Sequence, residues 1–335
     1  MEKSRAVIAE EANLKTTLDR YEEMKRVRQP WENIWREIGD YLLPRRNTDA
    51  LEIPGAVRPR RVVDNTGVVA ADRLASTLAG HLLSPFTPSF TPKLDDGEAD
   101  REEALWFEHV SRRMFQHLSG SGSTFRVQMA ESMLDAVTLG TNVTWIGGRQ
   151  GALPSYQALH IMKCWIADDP ETGRVDTLFR TFELPLWKAV DRYPLAEKLR
   201  EEFEKPKAQR HRMVTFLHGV YPNQGGKRGA ASHDKPYRDV TIVTDGDNPK
   251  IVVDAGGWDD FPFAVARFQR LSGQPYGYGP GIQALPLATA CAAGCAALAA
   301  APAWSSKACC CACASRWARR ASSTALSINN ASCTP

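Results

Sequence analysis

A chain of 335 residues has room for one large domain or two ordinary ones, and for a core of substantial size. Its net charge of +3 misleads, because Lys307, Arg316, Arg319 and Arg320 fall in a stretch from Leu287 to Pro335 that has no acid, so residues 1–286 carry 38 bases against 39 acids. A body that close to neutral argues against a dedicated basic groove as its grip on a polyanion, since phosphate neutralisation needs clustered Lys and Arg.

The first fifteen residues, MEKSRAVIAEEANLK, are charged where a signal peptide has its apolar core, so secretory export is not expected. The nearest approach to a membrane span, residues 287–303, is mostly Ala with Gly294 and Pro302 inside, so no membrane partner is expected either. Cys164 is the one thiol before residue 287, which excludes a disulfide framework and suits a reducing compartment.

Residues 2–29 are charge-rich, with apolar positions at Val7, Ile8, Leu14, Leu18, Tyr21 and Met24, and run into WENIWREIGDYLLP. There Trp31, Ile34, Trp35, Ile38 and Leu42 have the spacing of one helix face, with two tryptophans as core anchors, and Pro44 stops the helix. Residues 45–61 read as a loop with Pro54, Gly55 and Pro59. Its Arg58, Arg60 and Arg61, with Arg45 and Arg46, are candidate nucleic-acid contacts, although arginines in such loops are more often solvated or paired with acids. Asp64 can cap a second helix that places Ala71, Leu74, Ala75, Leu78 and Leu82 on one side, and its alanines would let another element come close. FTPSFTPKL follows as an extended, proline-fixed segment. A third helix spans roughly Asp100–Leu118 with Trp106, Val110, Met114 and Leu118 on a stripe. A fourth spans Phe125–Leu139, its apolar face Met129, Met133, Ala136 and Val137, with Gly140 as a left-handed C-cap.

From Asn142 the apolar period changes from helical to two. VTWIG, SYQALHIMKCWIA, RVDTLFRTFEL, MVTFLHGVY, YRDVTIVTD and KIVVDAG alternate and are separated by turn-forming sequence, with one helical insertion, LWKAVDRYPLAEKLREEFEK. The expected fold is α+β: helices over 1–140, a mainly antiparallel sheet over 141–286, and an unstructured tail over 287–335 with at most a short helix around Ala296.

Residues able to carry chemistry are few. Asp95-Asp96, Asp168-Asp169, Asp245 with Asp247, and Asp259-Asp260 are the carboxylate pairs that a metal-dependent nuclease or hydrolase would use, yet most sit beside Gly or Pro, where Asp serves a turn. No H-E-x-x-H pair exists. Gly225-Gly226-Lys227 lacks the spacing of a phosphate loop, and Gly277, Gly279 and Gly281 lack the strand-turn-helix context of a dinucleotide fingerprint. Cys309 to Cys311 with Cys313 could be drawn as a metal site with Cys291 and Cys295, but adjacent cysteines cannot all reach one ion without strain. No catalytic residue, metal site or cofactor is expected.

In this order the signals resemble the head-to-tail connector, or portal, proteins of short-tailed double-stranded-DNA bacteriophages, over most of residues 20–286. The parts are WENIWREIGDYLLPRR, VVDNTGVVAADRLASTLAGHLLSPFTPSF, STFRVQMAESMLDAVTLGTNVTWIG, the hairpin from Gly173 to Thr177, HGVYP at 218–222, and FPFAVARFQRLSGQPYGYGPGIQAL. Phe90 stands where the family usually has Trp-Phe, and Tyr278 where Arg is common. The resemblance implies a non-enzymatic virion protein that assembles, in host cytoplasm, into a twelve-fold ring of identical subunits at one capsid vertex. Its implied partners are capsid protein, terminase, tail proteins and the double-stranded DNA that passes through the ring. The resemblance fails after Pro286, where acidic helical sequence gives way to Ala, Cys, Ser and Arg, the residues of a GC-rich gene read out of frame. The expectation is a frameshift near codon 286, leaving a truncated and defective copy that is mainly the outer wing of the subunit.

Overall fold

The computed structural model describes residues 2–43, 65–84, 88, 90–94, 100–120, 122–148, 154–194, 196–205, 209–245 and 250–300. One helix, α1 (Glu2–Tyr41), carries the first forty of them. At 1.5 Å per residue it is about 60 Å long, and it runs unbroken through Pro30. Proline there removes one backbone hydrogen bond, which the burial of Trp31, Trp35, Ile38 and Leu42 just beyond it outweighs. The stripe expected from the sequence is thus the buried one. Pro44 lies outside the described residues.

Three further helices follow: α2 (Thr66–Leu82), α3 (Arg101–Ser119) and α4 (Phe125–Leu139). Ala71 and Ala75 are buried on α2, which packs on α4, as their small size predicts. The leucines expected beside them behave otherwise, since Leu74 and Leu82 face solvent. The expected stripe of α3 is likewise only half covered. Trp106 and Met114 are exposed, while Val110 and Leu118 of that stripe are half-buried together with Phe107 and Phe115, beside buried Ser111. Lines shifted by one residue have nearly the same helical spacing, so periodicity could not choose between them. Asp100 and Glu103 form a reciprocal capping box at the start of α3. The last carbonyls after α2, of Leu83 and Ser84, accept from the Arg126 guanidinium.

The chain after Gly140 makes two antiparallel sheets rather than one. The smaller has the order β2-β1-β8, from β1 (Thr141–Gly147), β2 (Ser155–Leu159) and β8 (Phe263–Arg267). The larger runs in simple sequence order, β3 (Cys164–Asp168), β4 (Val175–Pro185), β5 (Met213–Pro222), β6 (Tyr237–Val243) and β7 (Ile251–Trp258). The stretch SYQALHIMKCWIA, read as one strand, is two strands in different sheets, separated by a 3-10 turn at Ile161–Lys163. Buried Arg28 of α1 holds that turn: its Nη1 donates to the carbonyls of Met162 (3.0 Å) and Cys164 (2.8 Å), while Nε and Nη2 bind Glu32. The guanidinium also lies 3.9 Å over the Trp165 ring. The helical insertion is two short helices, α5 (Leu186–Arg192) and α6 (Glu197–Glu204), parted at Tyr193 and Pro194.

Alternation sorts the larger sheet into two faces. Phe179, Leu217, Val240, Ile242 and Val252 point to the first half of α1 and its Leu14, Leu18 and Tyr21. On the opposite face Leu178 and Val220 join Trp31, Trp35, Ile38, Val143 and Tyr276, whereas Phe216, Val243 and Val253 pack beneath α5 and α6. Between those two cores runs a polar seam. Arg180 Nε donates to His218 Nδ1 (3.0 Å), His218 Nε2 lies 2.7 Å from Asp239 Oδ1, and Trp258 Nε1 donates to Asp239 Oδ2 (2.7 Å). Because a guanidinium can only donate, His218 Nδ1 must accept, and the ring carries its proton on Nε2 toward Asp239.

The last described element, α7 (Pro280–Ala300), corrects the expectation of an unstructured stretch directly after Pro286. The first turns of α7 dock on α1 and α4, which overcomes the cost of nucleation, and alanine then propagates the helix. Residues 301–335, with Cys309 to Cys313, lie outside the described residues.

Burial pushes the Asp239 carboxyl up, but the attraction of His218, its hydrogen bond and that of Trp258, and the Arg180 cation together hold it below the usual carboxylate range. A lowered folded-state value contributes stability that is present above the unfolded carboxyl value, about 4, and is lost as pH falls through the folded one. Asp239→Asn should therefore cost about 1–3 kcal/mol at neutral pH, with the gap from the wild type closing as denaturation is repeated below about pH 4.

Candidate functional site

The residues best placed to define a working part of this protein are those of the segment 268–285 where it crosses the end of α4. Gly140 ends α4 with φ of +79°, a conformation glycine adopts without penalty. Its carbonyl accepts from the Phe268 N–H at 2.9 Å. Two residues of the crossing segment, Gln269 and Tyr278, pair through reciprocal backbone bonds of 3.0 and 2.8 Å, folding it into a loop. The closing end of that loop meets the start of β1, where the Gly277 N–H donates to Thr141 Oγ1 at 2.8 Å.

The glycines of PYGYGPG explain themselves here. A Cβ on Gly140 would stand 2.3 Å from the Gly277 oxygen, one on Gly279 2.8 Å from the Val137 oxygen, and one on Gly281 2.5 Å from the Thr138 oxygen. Backbone lies on backbone at successive points, which side chains would forbid. The segment's resemblance to a dinucleotide fingerprint is thus a packing requirement. Just before the first of them, fully buried Tyr276 meets Trp35 edge-on at 5.1 Å and accepts the Ile166 N–H on its hydroxyl at 3.3 Å. Burial pushes that hydroxyl's pKa up, so it stays protonated. Tyr278 stacks edge-on against Trp31 at 4.9 Å. Trp35 Nε1 donates to the Leu139 carbonyl at 3.3 Å, which ties α1 to the same spot.

A second tie fastens the other end of the segment. Arg267 donates to Asp168 Oδ2 (2.5 Å) and to the carbonyls of Gly173 (3.0 Å) and Pro275 (3.2 Å), joining the β3–β4 turn to the loop. Asp169, the other member of that carboxylate pair, accepts from the backbone of Glu171 and from the backbone and hydroxyl of Thr172. The Thr172 hydroxyl and the Glu171 backbone hold its pKa below the ordinary value. Asp245 pairs with Arg212, Asp260 with Arg228, and Asp259 with Lys235 and the Gly229 N–H, each at 2.8 Å for Asp259. Asp95, Asp96 and Asp247 lie outside the described residues. Among the described residues no three acids, histidines or cysteines are grouped as metal ligands. Cys164 is buried, and burial pushes its thiol to about 12, far from a reactive thiolate.

Arg58, Arg60 and Arg61 fall outside the described residues, so the fold places none of them. Sequence reasoning missed Arg28 and Arg267, the two cations that fasten separate elements, because a buried arginine binding carbonyls leaves no periodic mark. The glycines at 277, 279 and 281 were visible, but their partner, the end of α4, lies about 140 residues away in the chain.

What the fold and this junction define is an α+β chain whose helices and sheets are joined by glycine-lined backbone contacts and by two arginines, Arg28 and Arg267. The model of the family described as bacteriophage head to tail connecting protein matches residues 14–290, and the chain belongs to that family. It is 26% identical over 289 residues to a probable portal protein of Bordetella phage BPP-1, aligning 83% of this chain with 50% of that one. It is 25% identical over 258 residues to the portal protein of Salmonella phage epsilon15, with 74% of this chain and 45% of that one covered. The chain therefore spans about half the length of the curated relatives it matches.

Gly140→Ala combines a strained φ with a backbone collision and should lower stability by about 2–4 kcal/mol. Gly273 has nearly the same φ, +77°, but open space around it, so Gly273→Ala should cost only about 1 kcal/mol. Equal losses for the two variants in urea unfolding would show that the close approach contributes nothing.

Proposed function

We propose that this chain is a subunit of the phage head-to-tail connector, the portal ring at one capsid vertex through which double-stranded DNA enters and leaves and to which the tail attaches. The observation that carries this reading is the family match from residue 14 to residue 290, whose glycine-bearing segment is the junction described above. The role is structural. The subunit supplies a rigid body, and its partners are further copies of itself, capsid protein, the terminase that moves the DNA, tail proteins and the DNA. The site of action is the virion, reached by assembly in host cytoplasm. Within it, residues 1–140 and 141–286 are the helical and sheet parts of the wing, and Arg58, Arg60 and Arg61 are the residues proposed to meet DNA.

The same reading treats residues 287–335 as out of frame. Their 49 positions contain 17 alanines, seven of the eight cysteines and no acid. The family match ends at residue 290, close to this change of composition. Large apolar residues beyond Leu287, Leu298, Trp304, Trp317, Leu326 and Ile328 are lacking, so the stretch can bury little surface against an ordering cost of roughly 1–2 kcal/mol per residue.

The gene tests this directly, because one of the other two frames past codon 286 should continue into acidic, leucine- and asparagine-bearing helical sequence. The 335-residue chain should sediment as monomer or irregular assemblies, while the restored-frame protein should form closed twelve-fold rings in negative stain. Closed rings from the 335-residue chain would overturn the frame reading; failure of the restored protein to form any ring would overturn the connector reading.

A metal-dependent nuclease or hydrolase is the competing function. Pure protein with magnesium should leave duplex DNA and aryl phosphates uncut. Activity lost on Asp168→Asn or Asp245→Asn would replace the structural role with a catalytic one.

A further inference from the structure

The smaller sheet treats its two edges differently. An unpaired edge strand presents a row of N–H and C=O groups to any extended chain, and folded proteins close or blunt such rows. On the β2 side helix α4 does this. Thr124 Oγ1 accepts the Tyr156 N–H (3.1 Å) and donates to the Tyr156 carbonyl (2.9 Å), and Gln128 Oε1 accepts the Ala158 N–H (2.6 Å). In the larger sheet the outer edge of β3 is closed in the same way, by Arg28 on the Cys164 carbonyl and by the Tyr276 hydroxyl on the Ile166 N–H.

Strand β8 is left open. The bonds from the Ile146 N–H to the Pro262 carbonyl and from the Phe268 N–H to the Gly140 carbonyl set the phase of the β1–β8 ladder. Ala264 and Ala266 therefore turn their backbone groups to β1, and Phe263, Val265 and Arg267 turn theirs outward. Those outward groups have no partner among the described residues. Nothing on the strand blunts them: exposed Ala264 and Ala266 are too small to obstruct a neighbour, and the Arg267 guanidinium is occupied with Asp168, Gly173 and Pro275. Just past the strand, Phe268 and Leu271 are 47% and 42% exposed on the loop that Gln269 and Tyr278 close.

We propose that the outer edge of β8 takes a fourth strand, an extended segment with apolar residues at alternate positions, from the part of the chain that follows α7 in the restored frame. This rests on the connector reading with its frame break, and it names the surface of the described body that the missing half completes. Helix α7 sets off from the end of the loop that β8 begins, and Gln283 Nε2 on its first turns lies 3.2 Å from Gln269 Oε1, two residues beyond the strand. This chain covers 50% and 45% of its two relatives, so about half of each has no counterpart here. A segment tethered that close has an effective concentration that a free partner lacks. A second copy would offer the same β8, and two identical edges pair about a two-fold axis, which closes as a dimer rather than as a ring.

Amide hydrogen exchange, read residue by residue, tests this on the 335-residue chain and on the restored-frame subunit before ring closure. The amides of Ala264, Ala266 and Phe268, bonded to β1, should be protected in both. Those of Phe263, Val265 and Arg267 should exchange freely in the 335-residue chain and at least about a hundredfold more slowly in the restored-frame subunit. Proline substitution repeats the comparison through stability. Val265→Pro removes an outward N–H that the β1 ladder does not use, so it should lower the melting temperature of the restored-frame protein more than that of the 335-residue chain. Ala264→Pro removes a bond to β1 and should lower both alike. Outward amides already slow in the dilute 335-residue chain, or equal losses from Val265→Pro in the two proteins, would overturn the proposal. Outward amides slowed only on ring closure would overturn it in favour of a second copy. Rings that form with those amides unprotected would leave the connector reading standing and this inference wrong, whereas a gene with no continuing frame would remove the frame reading and this inference together.

Discussion

The close approach of two stretches of backbone, residues 136–141 and 277–281, is the constraint around which the subunit is arranged. Polypeptide can lie on polypeptide at that distance only where side chains are absent, and Gly140, Gly277, Gly279 and Gly281 meet the need from both sides. The contact fixes where α4 hands over to β1, aims α7 along α1 and α4, and seats Tyr276 between the two tryptophans of α1. Helices and sheets consequently share one core, which runs from Trp31 and Trp35 through Val143 and Leu178 to Leu285.

Two arginines complete what the glycines begin. Arg28 donates to the carbonyls of the turn at which the chain leaves one sheet for the other, and Arg267 ties Pro275 of the loop to the first hairpin of the larger sheet. Both are desolvated cations held by several acceptors, the arrangement in which a buried charge is tolerated. The seam of Arg180, His218, Asp239 and Trp258 follows the same rule, with a guanidinium, an imidazole, a carboxylate and an indole donor satisfying one another in series between two apolar clusters. The helical surface is less complete: α3 leaves tryptophan, leucine and methionine in solvent, and such side chains mark contact surfaces.

The change of period at Gly140 made the α+β plan legible, and the order of short motifs made the family legible, since each motif answers to local backbone chemistry. Trp35 and Ile38 were placed in the core by spacing alone and are fully buried. The buried side of α3 was only half legible: Val110 and Leu118 are covered but Trp106 and Met114 are not, because lines shifted by one residue have nearly the same period and only a neighbour decides between them. Nor was the break within SYQALHIMKCWIA, where an alternating run continues in sequence while Arg28, more than 130 positions away, bends the chain at Ile161–Lys163.

Sequence by itself therefore determined the kinds of elements, their order, the near-neutral charge of the first 286 residues and the family, all of which depend on residues close in the chain. Tertiary structure decided the division into two sheets, the covered face of α3, the purpose of the glycines and the extension of α7 past Pro286. The physical reason is the same in each case. Local pattern fixes what a segment can become, but a stripe with two apolar sides, a glycine with a distant partner or an alanine run beyond a docked turn takes its final form from atoms that only the folded chain brings near.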